Sequence, residues 1–186
     1  MAFIATFNSL ADLGFGAAQI KRVSEGKDIN DCVSTYALLK IVLTPIMVVS
    51  MLASILIWAS ISGESYSSTT YEVILMFILY YVFYDIAGIA TATFDARVEA
   101  ASSQLSIFMD PLVRVPLVVF ASLNRLSIVY LAYAFVMAGM SIAILSLVTL
   151  SRKKLYFCKP TLIRSYLGLA IPIALVSVMS DIRQRR

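Results

Sequence analysis

Seven ionisable residues lie inside stretches that are otherwise apolar: Asp12, Lys40, Asp85, Asp110, Arg114, Asp181 and Arg183. A charge at the centre of a bilayer costs about 2.5–3.5 kcal/mol on insertion scales, so such residues face a bundle interior or a water-filled cavity. Asp110 and Arg114 are four apart, which places both on one face of a helix. The favoured reading is an intramembrane pair that neutralises itself near the cytoplasmic end of its span; the alternative is a substrate-facing role. Lys40 reads as a side chain that snorkels to the cytoplasmic surface. Asp85 sits near the middle of its span with no Lys or Arg close to it in sequence. It is the best single candidate for a functional intramembrane acid, with a polar packing role as the alternative.

Other chemistries lack their residues. The chain has no histidine, which removes the commonest zinc ligand and the commonest general base. Cys32 and Cys158 form no CxxC pair, and both fall in segments expected in the cytoplasm, where a disulfide is disfavoured. There is no GxSxG, HExxH, DxD or P-loop, and the serines lack the base that activates a nucleophile. The sequence therefore predicts neither an enzyme nor a bound metal or cofactor. Gly14 and Gly16 make a GFG step that is no nucleotide motif, since the GxGxxG pattern is incomplete and no strand precedes it. The step suits a helix break or a close backbone approach. The aromatic run YYVFY from Tyr80 to Tyr84 reads as packing and lipid contact in preference to a sugar platform.

The elements that must position these residues follow from composition. Apolar residues make up 60% of the 186, and charged residues only 14%. An ordinary soluble domain runs about 45–50% apolar and about 25% charged. A short chain buries only about 60–70% of its unfolded surface, so the apolar excess calls for lipid. A crossing needs roughly 20 mostly apolar residues. Ile41–Gly63 and Leu126–Ser151 carry no charge, and Val73–Phe94 is interrupted only by Asp85. The expected fold is an all-α membrane protein, a single domain of about six transmembrane helices near residues 2–20, 34–61, 72–94, 104–123, 126–150 and 166–182. Long apolar runs without alternation exclude a β-barrel. Pro45 is a candidate kink. Both ends read as cut, and no signal peptide is evident.

Basic residues set the expected orientation. The loop KRVSEGKDIND carries three and SRKKLYFCKPTLIR five, while SGESYSSTTYE carries none. Lys and Arg favour the cytoplasmic side. Loops 21–33, 95–103 and 151–165 are therefore expected in the cytoplasm of a multi-pass protein of the cell membrane. The net charge of +4 is accounted for by these flanks, and nucleic acid is not an expected partner.

The stretch SLADLGFGAAQIKRVSEGKD, Ser9 to Asp28, resembles the second helix and following loop of polysaccharide flippases, a family of the superfamily that also holds multidrug and lipid II exporters. FDARVEAA, Phe94 to Ala101, resembles the end of the family's fourth helix, and SYLGLAIPIALVSVMSDI, Ser165 to Ile182, the opening of its seventh. The resemblance runs over nearly the whole chain but only part of the family's length. It implies helices two to six and the start of seven, in one lobe of a two-lobed transporter that rocks about a polar cavity. It implies a lipid-linked oligosaccharide as partner, moved across the bilayer, and a missing second lobe or another copy of the chain. Helices one, two, seven and eight line the cavity in that family, which points by position to Asp12, Asp181 and Arg183; Asp85 joins them on its own chemistry. Two other readings remain: a non-transporting fragment or interaction module, and, less favoured, a membrane-embedded enzyme of lipid-linked sugars.

Overall fold

The computed structural model describes residues 14–62, 67–153, 158, 162–170 and 172. Among these every regular element is a helix: α1 (Phe15–Ser24), α2 (Ile29–Ser62), α3 (Ser68–Ala96), α4 (Ala100–Leu123) and α5 (Ile128–Arg152), followed by helical turns at residues 163–170. α2 to α5 are each long and apolar enough to cross a membrane. They support a membrane-embedded, multi-pass chain. The expected spans 2–20 and 166–182 lie largely outside the described residues. So do three of the expected cavity residues, Asp12, Asp181 and Arg183.

The helix ends are written in local chemistry. Gly14 takes a left-handed conformation, φ 75°, immediately before α1. Asp28 caps α2 by accepting the Asn30 N–H at 2.8 Å, and Ser67 caps α3 by accepting from the Thr70 N–H at 3.3 Å. α1, α3 and α4 all close with the same pair of reverse hydrogen bonds. At α3 the Glu99 N–H reaches the Phe94 carbonyl and the Val98 N–H the Asp95 carbonyl. This closure needs a left-handed residue one past the cap, usually glycine. Gly26 fills the position after α1, but Val98 (φ 59°) and Arg125 (φ 51°) fill it after α3 and α4. A β-branched residue there is strained, and Val98 is held only because both flanking bonds require it.

These ends make the loops shorter than the sequence suggested. The first basic loop shrinks to residues 25–28, because α1 runs on through Lys21 and Arg22. The third is Arg97–Glu99, because Ala100–Ser103 begin α4 in place of extending the loop. Pro45, Pro111 and Pro116 all sit inside continuous helices. Each withholds one backbone N–H from the carbonyl a turn before it, a loss a membrane helix tolerates when neighbours compensate.

α3 is the hub. It packs most extensively against α5 and also touches α1, α2 and α4. The α3–α5 seam is made of small residues on α5: Ala132, Gly139, Ala143 and Ser146 are all buried. Small side chains let helix backbones approach closely where no hydrophobic drive separates protein from lipid. At Gly139 a Cβ would lie 3.0 Å from Tyr80 Cδ2 and 3.3 Å from the Tyr80 carbonyl oxygen. The main core lies toward the other end of the seam, where Phe15, Tyr36, Ala90, Phe94, Leu150, Tyr166 and Ala170 meet. The turns at 163–170 are thus seated within the bundle.

One end of the bundle gathers the basic residues. Lys153 after α5 pairs with Glu99 before α4 at 2.7 Å, and Arg22 of α1 donates to the Ser165 carbonyl at 3.3 Å. The α1–α2 and α3–α4 loops and the end of α5 therefore share one side. Replacing Gly139 by Leu should wedge α3 from α5 and cost about 1–3 kcal/mol, the usual penalty of overpacking. Thermal unfolding of the detergent-purified protein, compared with a change at exposed Ile144, measures it; equal melting for both would remove the close approach as a determinant.

Candidate functional site

Two charged constellations lie within the helices rather than at their ends. The first joins α2 to α3. Lys40 Nζ donates to Asp85 Oδ1 at 2.8 Å, and the Thr44 hydroxyl donates to Asp85 Oδ2 at 3.0 Å. Both ionic side chains are almost wholly enclosed, at 5% and 4% exposure. Counting about 1.5 Å per residue, Lys40 stands roughly 16 Å along α2 from Ile29, and Asp85 roughly 16 Å along α3 from Ala96. The two helices run antiparallel, so equal distances from the basic end bring the residues level.

This arrangement corrects two expectations. Lys40 does not snorkel to the surface. Its ammonium is held inside by the Asp85 carboxylate, and that pairing offsets part of the desolvation a lone buried lysine would suffer. Asp85 is not remote from basic residues either, since its partner is distant in sequence and level in space. Lys40 and Thr44 are four apart on one face of α2, so both oxygens of Asp85 are served from a single helix. The i, i+4 Lys/Thr spacing is visible in the sequence, but the carboxylate it serves is not.

The second constellation lies where α4 meets α3 and α5. Arg114 Nη2 lies 2.8 Å from Asp110 Oδ2. The Tyr80 hydroxyl donates to Asp110 Oδ1 at 3.3 Å. The Arg114 guanidinium stands over the Phe135 ring at 5.0 Å. Phe135 in turn meets Tyr80 and Phe77 edge-on, with centroids 5.7 and 5.1 Å away. Asp110 is buried, whereas the Arg114 side chain is 31% exposed. The pair stands near the middle of α4 and not near the end expected in the cytoplasm. Asp110 is roughly 15 Å from Ala100 at about 1.5 Å per residue, because α4 starts a turn earlier than the charge pattern suggested.

Beside this pair an open groove of about 910 Å³ runs between α3 and α4, lined by Tyr81, Tyr84, Gln104, Phe108, Asp110 and Arg114 among others. The run Tyr80 to Tyr84 therefore divides. All three tyrosines border the groove, but Tyr80 is buried and Tyr84 is exposed. Beyond Arg114 a smaller apolar hollow of about 280 Å³ lies between α4 and α5. The structure does not bring Asp85 to the groove: the lining contains Asp110 but not Asp85.

A third polar knot closes the basic end. Gln19, wholly buried on α1, donates to Thr93 Oγ1 at 3.4 Å and accepts from the Tyr166 hydroxyl. Tyr166 also reaches the Cys32 carbonyl at 3.4 Å. Nothing in the sequence singled out Gln19 or Tyr166, since neither carries a charge or belongs to a motif. Outside the helices, Glu99 is pushed below the ordinary glutamate range, first by the Lys153 hydrogen bond and then by Arg97 at 2.8 Å. Among the described residues no group of three or more His, Cys, Asp or Glu is placed to hold a metal. Comparison with family models, with characterised proteins and with solved structures gives no significant match.

Two expectations follow. Lys40→Met or Asp85→Leu alone strands a buried charge and should cost about 3–5 kcal/mol, while the double substitution should fall close to the parent. Unfolding free energies of the three variants test this, and additive losses would show that the pair is not coupled. The lowered Glu99 pKa stabilises the folded chain above the ordinary glutamate value of about 4.5, and that gain is lost as the pH falls through the depressed value. The melting-temperature difference between parent and Glu99→Gln should be constant near neutrality and shrink as the pH is lowered into the acid range; a difference that does not shrink on acidification would contradict it.

Proposed function

We propose that this chain is one lobe of a membrane transporter that moves a lipid-linked oligosaccharide from the cytoplasmic to the outer face of the cell membrane, with its basic end in the cytoplasm. The observation that carries the reading is the placing of two charge pairs, Lys40–Asp85 and Asp110–Arg114, about midway along helices that are otherwise apolar. Intramembrane charge is costly and is characteristically kept where a polar cargo or ion must pass. The resemblance of Ser9–Asp28, Phe94–Ala101 and Ser165–Ile182 to polysaccharide flippases supplies the cargo class. In the mechanism this implies, the lobe rocks against a second lobe or a second copy, polar residues guide the charged head, and the lipid tail stays in the bilayer. Asp12, Asp181 and Arg183 would meet the head in that scheme.

One observation favours a second reading, a membrane interaction module that transports nothing. The Lys40–Asp85–Thr44 constellation is enclosed and satisfied, as a static brace would be. The test separates the two. Liposomes containing the chain, at densities where two copies meet, receive a fluorescent lipid-linked oligosaccharide, and a membrane-impermeant quencher reports its transfer. Transfer faster than in protein-free liposomes is expected, together with alkaline phosphatase activity for fusions at residue 65 and none for fusions at residue 153. A rate equal to that of empty liposomes removes transport and leaves the module; active fusions at residue 153 reverse the orientation.

A further inference from the structure

The two ends of the bundle differ in charge. At the end away from the basic loops the described residues carry the acid Glu72 and the base Arg125. At the basic end many charges answer one another. Arg22 pairs with Glu25, and Glu99 takes both Arg97 and Lys153. Lys21 and Arg164 stand outside this pairing. Both are exposed, and neither pairs with an acid among the described residues.

The two cations flank one junction. The Arg22 guanidinium donates to the Ser165 carbonyl at 3.3 Å, and so ties α1 to the turns at 163–170. Lys21 and Arg164 are the chain neighbours of that contact. A helix turns about 100° per residue. Lys21 lies two residues past Gln19, and Arg164 two before Tyr166, and both Gln19 and Tyr166 are wholly buried. Each cation is thus carried about 200° round from the core-facing side of its helix and points outward. Their depth is set by the helix ends. α1 stops at Ser24 and the turns begin at residue 163, so both cations occupy a terminal turn, where a bilayer gives way to water. One turn further in, the outer sides become small or apolar. Ala17 lies below Lys21, and Leu167 and Gly168 lie below Arg164, all exposed. A Cβ added at Gly168 would meet nothing within 4 Å, so that side is open.

We propose that the junction of α1 with residues 163–170 binds an anionic glycerophospholipid of the leaflet at the basic end, its phosphate at Lys21 and Arg164 and its acyl chains running inward past Leu167 and Gly168. Cations at the membrane boundary attract anionic lipid heads. The apolar strip beneath them suits a molecule with chains and offers nothing to a free anion. A zwitterionic head gains less, because its own cation finds no open acid here: Glu25, four residues on from Lys21, is held by Arg22. The site requires only that the basic end lie at a bilayer surface, so it holds in either orientation. It stands apart from the transport reading, and no outcome below bears on cargo transfer.

The test uses the full chain purified in detergent. Phosphatidylglycerol and phosphatidylcholine with the same chains compete for it, and native mass spectrometry is the readout. Phosphatidylglycerol is expected to be retained in preference. Lys21→Gln with Arg164→Gln should cut that preference about thirtyfold, at about 1 kcal/mol for each cation near an anionic surface. Arg125→Gln, which removes an exposed cation at the other end, should leave it unchanged. A parent without the preference overturns the proposal, as does a preference that survives the double substitution or falls equally with Arg125→Gln. Displacement by inorganic phosphate at concentrations comparable to the lipid also overturns it, by marking a site for a free anion. Should the double variant fail to fold, Arg164→Gln decides alone, with a loss of about fivefold expected.

Discussion

A chain in hydrocarbon must satisfy its polar groups from within, and the Lys40–Asp85 pair is where that constraint acts hardest on this one. α2 shows much of its surface outward: Ile41, Val42, Ile46, Val49, Leu56 and Ile61 are all exposed. Such a helix has little shape of its own with which to choose a rotation or a depth. The ammonium fixes both. Because the ammonium meets the Asp85 carboxylate at 2.8 Å inside the bundle, sliding or turning α2 by one residue would pull this buried pair apart. α3 is held between this pair and the close seam with α5, so the position of α2 is referred to the most tightly packed part of the bundle.

The charge clusters also show how one cost is handled in two ways. Asp85 is answered from a facing helix, and the result is closed. Asp110 is answered by its own helix, four residues on, and by Tyr80 across the seam. Arg114 then remains partly open, because an i, i+4 pair lies along a helix surface and leaves the outer side of the guanidinium free to meet other groups. The closed cluster is sealed within the bundle and the open one leaves a guanidinium 31% exposed, although both hold one acid and one base.

Much of the helical architecture was legible. Long apolar runs with at most one charge located α2, α3 and α5 near their observed centres, because burial in lipid demands apolarity on every face. Their ends were less legible. Ala100–Ser103 are small and weakly polar, and they read equally as loop or as helix start. Lys21 and Arg22 read as loop by charge, yet they continue α1, since exposed basic residues suit the last turn of a helix. The Asp110–Arg114 spacing is local and could be seen in one dimension. The Lys40–Asp85 pairing spans two helices and could not be, because it depends on the antiparallel register of α2 and α3. Gln19 and Tyr166 carried no signal, as uncharged polar residues matter only once burial is known. The expectations for Asp12, Asp181 and Arg183 concern residues outside those described.

The depth of the Lys40–Asp85 pair has an electrical consequence. A unit charge carried across a membrane held at 100 mV gains or loses about 2.3 kcal/mol, and a charge at half depth feels about half of that. Lysinium and carboxylate side by side present no net charge to the field, so voltage does no work on the intact pair. Neutralise either partner and the other becomes a lone charge roughly midway across, coupled to the membrane potential. The bridge therefore presents no net charge to the field at that depth, and whatever neutralises one partner alone would couple this helix pair to the membrane potential in the same step.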